Sequence, residues 1–306
     1  MQSSFMGSLM ELTSEHEDVM YLTADSGEGG LDLMYQRNFP ERAFNFGIAE
    51  ENMVAAAAGM ALCGKVPFVY TASPFLAYRS FEFIRDDLCL QNVNVKLFGT
   101  GSGMSVSSLG PTHHTTEDIA VLRSLPNLTI LSPATPRQAY EAVRIAYEIK
   151  GPVYVRLGMN KEQEYFDENY KIPSGGFEVL RKGADVGMIT TGSVLKEVMD
   201  AADLLEEEGV LVSVAHVFSI KPFDAKSFLD FASKVNRLVV VEEHNVLGGL
   251  GSLCADELVT AQKMMPLLKI GLEDCFTKGY GTLDTVHKEN GLDASSIAAR
   301  IRKELS

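Results

Sequence analysis

Short apolar runs alternate with longer segments of helical period along almost the whole chain, and this alternation narrows the fold more than any other feature. Residues 19–24, 66–71, 95–100, 129–132 and 153–156 read as strands that are apolar throughout, not at every second position. Helical patterns occupy 5–17, 50–63, 75–91, 115–124 and 136–149. Strands buried on both faces and joined by helices form a mostly parallel sheet with helices covering it. Residues 161–176, K-E-Q-E-Y-F-D-E-N-Y-K-I-P-S-G-G, are polar, strongly charged and closed by Pro and Gly, which predicts a linker. Beyond it the alternation resumes, with strands over 186–190, 210–216, 237–242 and 267–272 and helices over 194–208, 224–233 and 249–263. An amphipathic helix over 294–305 closes the chain. The expected division is a first α/β domain over 1–160, a linker over 161–176 and a smaller α/β domain over 177–306.

Charge excludes some partners. At 306 residues with a formal net charge of −14, the chain repels nucleic-acid backbones and anionic membrane surfaces, so any bound phosphate must be met by a local site. The sequence shows no secretory leader and no apolar run near the length that spans a bilayer, so a cytoplasmic protein without a membrane partner is expected. Cys63, Cys89, Cys254 and Cys275 are dispersed and show no C-x-x-C spacing; they are expected to be reduced core residues, and no metal site is expected. The run D-S-G-E-G-G over 25–30 follows a strand but lacks phosphate-binding spacing, and a plain loop is expected there.

In open parallel sheets ligands gather at the carboxyl ends of strands, which directs attention to three loops. The first leads into F-G-I-A-E-E-N-M-V-A-A-A-A-G-M, placing Glu50 and Glu51 in the first turn of an alanine-rich helix. There the helix dipole favours negative charge, and ordinary solvated acids are the default reading. The second, A-S-P-F-L-A-Y-R-S-F-E-F-I-R-D-D, crowds Phe75, Tyr78, Phe81, Arg79 and Arg85. Rings at this spacing pack in cores, and one left exposed at a strand end can stack on a heteroaromatic ligand. The third, Leu109-Gly-Pro-Thr-His-His114, sets two imidazoles on a rigid turn, where they serve structure, move protons or hydrogen-bond an oxyanion.

Three runs, N-F-G-I-A-E-E-N-M, G-P-T-H-H-T-T-E-D-I-A-V-L-R-S-L-P-N-L-T-I-L-S-P-A and V-V-E-E-H-N-V-L-G-G-L-G, together resemble the carboxyl-terminal half of transketolase and of 1-deoxyxylulose-5-phosphate synthase. The resemblance implies a pyrimidine-binding domain, a doubly wound parallel sheet, followed by the family's smaller carboxyl-terminal α/β domain. It implies that Glu50 is the carboxylate that hydrogen-bonds the aminopyrimidine of thiamine diphosphate. Phe75 and Tyr78 match the aromatics that stack on and flank that ring, His113 the histidine that faces the reacting centre, and Arg156 an arginine that grips a sugar phosphate. Full-length members hold the diphosphate and Mg²⁺ through an amino-terminal domain with a G-D-G motif and a downstream Asn, and no such segment occurs in this sequence. The resemblance therefore implies a split enzyme, in which the cofactor is shared with a separate diphosphate-domain chain that binds Mg²⁺, and this chain pairs with itself inside a heterotetramer. The implied reaction moves a two-carbon ketol unit between sugars. The alternatives are an acyloin synthase or keto-acid dehydrogenase β-subunit using an α-keto acid donor, and a non-catalytic scaffold. Departures bear on substrate: Leu109 stands where Asp is usual, His114 where Gln is common, the run 99–103 replaces a phosphate-binding histidine, and no arginine lies near residue 2.

Overall fold

The computed structural model describes residues 1–25 and 30–305, and their contacts divide into two compact units. One unit comprises Met1–Ser102 and Val121–Lys171; the other comprises Gly103–Ala120 and Ile172–Ser306. Most of the loop expected over 25–30 lies outside the described residues.

In the first unit six strands, β1 (Val19–Thr23), β2 (Ala43–Asn45), β3 (Val66–Ala72), β4 (Lys96–Thr100), β5 (Thr129–Leu131) and β6 (Val153–Leu157), stand in the order β5-β6-β4-β3-β1-β2. All these pairings are parallel, with Thr23 opposite Tyr70 and Asn45, and Thr71 opposite Gly99. Every residue of β1, β4 and β6 is buried, which accounts for the unbroken apolar runs. From β1 the chain passes to β2 on one side, and from β3 to β4 on the other. The carboxyl ends of β1 and β3 therefore flank a topological switch point, where such sheets place ligands. The amino-terminal helix Gln2–Glu15 packs against the helix Pro136–Glu148. Thr135 caps the latter, its Oγ1 accepting from the Gln138 N–H at 3.2 Å.

The segment expected as one helix over 75–91 is built differently. Phe75–Arg79 and Ile84–Leu90 are π-helical, with a short α-helical turn, Phe81–Phe83, between them. Among its buried positions, Leu76, Ser80, Ile84 and Leu88 recur every four residues, with Ala77 and Cys89 buried beside them. An α-helix would rotate that stripe away from the core by about 40° at each step, whereas wider turns keep it facing inward. Apolar spacing alone reads as helix in either case. Similarly, the helix expected over 115–124 is reduced to Asp118–Leu122.

In the second unit β7 (Phe177–Arg181), β8 (Val186–Thr190), β9 (Val212–Val217), a short β10 (Ser219–Lys221), β11 (Arg237–Asn245) and β12 (Leu267–Leu272) follow in sequence. Five of these form a sheet of order β12-β11-β8-β9-β7, parallel except for the β7 edge, which runs antiparallel to β9. That edge strand, half polar along its length, was not expected from the pattern. The closing helix Ala294–Leu305 packs on Leu195–Glu206. Residues 161–176 form neither helix nor strand. The expectation that all four cysteines lie in the core is corrected: Cys89 and Cys254 are buried, but Cys63 and Cys275 are exposed, one ending the Glu50–Leu62 helix and the other in the turn after β12. Among the described residues no helix is long and apolar enough to cross a membrane.

Candidate active site

The Glu50 turn is fixed by the end of β2. Phe46 N–H donates to the Thr23 carbonyl at 2.9 Å, extending the β1–β2 ladder by one residue. The Asn45 Oδ1 then accepts from the N–H groups of Gly47 at 2.9 Å and Asp25 at 3.1 Å, folding the chain back on itself. Gly47 sits at φ 66°, where a side chain is strained, and Ala49 leads into the helix Glu50–Leu62. The two adjacent acids consequently meet different surroundings. Glu50 is 1 % exposed, on a helix face otherwise made of Met53, Val54, Ala57 and Ala58, while Glu51 is only half-buried.

Burying one carboxylate requires compensation. Arg79 Nη1 donates to Glu50 Oε2 at 2.5 Å, and the same guanidinium lies 5.0 Å from the centroid of the half-buried Phe75 ring. Glu50, Arg79 and Phe75 thus form one cluster, with Tyr78, 36 % exposed, on the same π-helical turn. That turn follows β3 directly, and its approach is made possible by Gly99, where an added Cβ would come within 2.6 Å of Ser73 Oγ. The sequence did not single out Arg79 as a partner of Glu50. Its place four residues after Phe75 in the aromatic loop was the available signal.

Arg156 differs from its expected setting. Instead of standing open at a cleft mouth, it lies within β6 opposite Gly99 and is 3 % exposed, with Nη1 3.4 Å from Ser132 Oγ.

His113 belongs to the second unit. It ends the short 3₁₀ turn Gly110–Thr112, is half-buried, and its Nδ1 lies 2.9 Å from Thr112 Oγ1. Its neighbour plays another part. His114 is buried, and its Nδ1 lies 2.6 Å from Thr277 Oγ1; burial pushes its pKa down, which favours the neutral imidazole. Leu109 is half exposed beside them. The third motif is also explained in part. Glu242 accepts from the N–H groups of Leu250 at 2.7 Å and Gly251 at 2.9 Å, placing a carboxylate at the amino terminus of the helix Leu250–Thr260. A Cβ on Gly249 would lie 2.1 Å from Glu242 Oε2, which requires glycine in the G-G-L-G run.

A parallel sheet with a dry carboxylate and an aromatic face at its switch point, followed by a second parallel-rich sheet, is the architecture of an α/β protein that takes a ligand at the carboxyl edge of its sheet. The family described as "Transketolase, pyrimidine binding domain" matches residues 1–162, and that described as "Transketolase, C-terminal domain" matches residues 175–297. One subunit of the apulose-4-phosphate transketolase of Actinobacillus succinogenes is 37 % identical over 92 % of this chain and 90 % of its own. A putative transketolase C-terminal section from Methanocaldococcus jannaschii is 34 % identical, over 100 % of this chain and 96 % of its own. A solved structure described as a split gene transketolase, inactive beta4 tetramer, superposes with a TM-score of 0.88 at 34 % identity, covering 99 % of this chain and 96 % of that one. The chain belongs to the transketolase family, whose enzymes transfer ketol groups and whose cofactor is thiamine diphosphate. The first unit's residues fit that group: a carboxylate buried beside an aromatic face is what a flat, weakly basic ring requires of its pocket.

Proposed function

We propose that the chain is the carboxyl-terminal subunit of a two-chain transketolase that moves a two-carbon ketol unit from a sugar or sugar-phosphate donor to an aldehyde acceptor. The burial of Glu50 against Arg79 and Phe75 carries this reading. When bound, thiamine diphosphate supplies the nucleophilic carbon that takes up and releases the two-carbon fragment. Glu50 holds the aminopyrimidine nitrogen and shares its proton; exclusion of water keeps that proton between acid and ring. Phe75 and Tyr78 flank the ring. His113, half-buried on its turn, hydrogen-bonds and exchanges protons with substrate oxygens. Arg156 is 3 % exposed within β6, so the phosphate-gripping role that the resemblance implies for it is not part of this proposal. The division into a pyrimidine domain over 1–160, a linker over 161–176 and a carboxyl-terminal domain over 177–306 belongs to the same reading, as does a cytoplasmic setting.

The partner, in this proposal, is an amino-terminal chain that binds the diphosphate and Mg²⁺, joined to a pair of the present chains in a heterotetramer. Support for a divided enzyme comes from the Actinobacillus relative, which is named as a single subunit of its enzyme, and support for pairing of like chains comes from the split-gene structure, which is described as an inactive beta4 tetramer. Leu109 favours examining a second donor class, because a donor hydroxyl facing Leu has no partner, whereas an α-keto acid has less need of one.

The test is reconstitution with the partner chain. Ketol transfer from a ketose phosphate to an aldose, with Mg²⁺ and thiamine diphosphate, is the expected activity, and calorimetry on the chain alone should show no cofactor binding at micromolar ligand. CO₂ release from pyruvate by the complex, without ketol transfer, would replace this reading with the keto-acid one. Tight cofactor binding by the isolated chain would end the two-chain proposal.

A further inference from the structure

The third motif contributes a second carboxylate that the helix it leads into does not use. Glu243 follows the capping Glu242 along β11, so its side chain leaves the opposite face of the strand. It is buried, and it accepts a short hydrogen bond from His287 Nε2, on the helix Leu283–Glu289. His287 is buried too, and its Nδ1 lies 3.9 Å from Glu197 Oε1 on the helix Leu195–Glu206. Burial works against a charge on this imidazole, but Glu243 and Glu197 overcome it and push the pKa up to about 10. Such a trio is poor support for stability as such, because apolar side chains of the same volume often serve as well. Its significance lies in what it touches.

Glu243 lies against the base of the loop that carries His113. A Cβ built on Gly103 would come within 2.4 Å of Glu243 Oε2 and 2.8 Å of its Cβ, and Gly103 adopts φ 63°. The Gly103 carbonyl accepts from the Thr115 N–H at 2.8 Å, closing the loop into a ring of backbone around His113. The remaining ties run to the same region of the chain. Asn245 N–H donates to the Thr116 carbonyl at 2.7 Å, and Ser107 Oγ donates to the Gly281 carbonyl at 2.8 Å. The loop is therefore seated on residues 243–245 and 277–281, and the helix bearing His287 begins just after the second of these.

We propose that Glu243, locked in one orientation by His287, is a positioning residue: it sets the base of the 103–115 loop and thereby the placement of His113 for ketol transfer. The catalytic part of this inference rests on His113 facing substrate, as in the proposed function; the part concerning loop geometry does not. His287 holds Glu243 from one side, and Glu197 holds His287 in turn, so the effect of removing each should weaken with distance from the loop.

The experiment uses Glu243→Gln, His287→Gln and Glu197→Gln. In the chain by itself, hydrogen exchange is read at amides 103–117 against those of β8 and β9. Exchange in the loop should quicken about tenfold in Glu243→Gln, less in His287→Gln and least in Glu197→Gln, with the strands unchanged. In the reconstituted complex kcat should fall on the order of tenfold while the KM for thiamine diphosphate stays constant, as expected when a reacting group is misplaced by a fraction of an ångström. Unchanged loop exchange, or a uniform loss of protection across the unit, would overturn the proposal by showing a merely structural trio. If a single change prevents folding, Glu243→Gln combined with His287→Asn removes both charges together and carries the same readouts. His113→Asn in the complex separates the two levels of argument. Full turnover there would remove the catalytic role of His113, while the exchange result would still decide whether Glu243 sets the loop.

Discussion

The turn that presents Glu50 and the loop that presents His113 are built in opposite ways. Asn45 folds the first by hydrogen bonds to Gly47 and Asp25, and the arginine that neutralises Glu50 stands 29 positions away. The second is tied across far greater separations, with 163 positions between His114 and Thr277 and 174 between Ser107 and Gly281. A turn made from near neighbours keeps its shape whenever its own sheet forms. A loop made from distant ones keeps its shape only while the whole surrounding unit is folded, because long closures must be completed before their contacts contribute. The two regions therefore differ in what breaks them.

Glu50→Gln should give the largest effect. In the reconstituted complex turnover is expected to fall by about 10²-fold or more, as when a catalytic proton relay is removed. Thermal stability should hardly move, since Arg79 is partly exposed and can be solvated once its partner is neutral. Turnover within about threefold of the native complex would show that the buried acid is structural, and the contrast between the two regions would lose its catalytic meaning.

Paired glycine substitutions sharpen the contrast next. Gly47 and Gly103 adopt nearly the same backbone angle, φ 66° and 63°, so an alanine at either meets the same intrinsic strain. Around Gly47 there is nothing within 4 Å of the added Cβ, while at Gly103 the carboxylate of Glu243 lies in the way. Gly47→Ala should cost about 1 kcal/mol of unfolding free energy. Gly103→Ala should cost about 3 kcal/mol, because Glu243 cannot swing aside without leaving His287. Denaturant titration of each variant supplies both values. Equal losses would mean that the Glu243 side chain yields freely.

This difference between local and distant construction also decides what could be read from the sequence. The parallel strands were legible because each is apolar throughout; Glu50 stood out as a carboxylate opening an alanine-rich helix, but that pattern by itself read as a solvated acid, and its burial shows only in the fold. The resemblance of three short motifs to a known family is the source of the roles proposed for Glu50, Phe75, Tyr78 and His113, which spacing alone left open. The π-helical turns were not legible, since a four-residue stripe reads as helix whichever winding carries it. Nor was the Glu50–Arg79 pair, the burial of Arg156 within β6, or the grouping of residues 103–120 with the second unit. Each of these depends on which side chains meet after folding. His287 is the extreme case: nothing in T-V-H-K-E-N marks a histidine destined to lie between the buried Glu243 and the half-buried Glu197.

Acidity gives the two units opposite responses that largely cancel in the native protein, so the net effect there is the smallest. Lys96, in the first unit, is buried in β4; desolvation, with a lesser contribution from Lys150, lowers its pKa from 10.5 to about 7. Between those values the unfolded chain holds a proton that the folded unit does not, so stability rises with pH across this window. His287, in the second unit, is raised from 6.5 to about 10, so there the folded unit holds the extra proton. Its contribution is complete below pH 6.5 and is lost as pH climbs towards 10. Each slope is at most about 1.4 kcal/mol per pH unit. The Lys96 slope should be the shallower, because Nζ donates to the Ile149 carbonyl at 2.6 Å and the Gly151 carbonyl at 2.9 Å, at the carboxyl end of a helix whose dipole favours a cation. Thermal unfolding followed from pH 7 to 9.5 in native protein, Lys96→Met and His287→Gln tests both signs. Lys96→Met should steepen the decline with rising pH by deleting the opposing gain, and His287→Gln should reverse it. Parallel curves for all three proteins would show that neither buried charge responds to folding as its surroundings require, and the Glu243–His287 pair would then lose its claim to hold a proton in the folded unit.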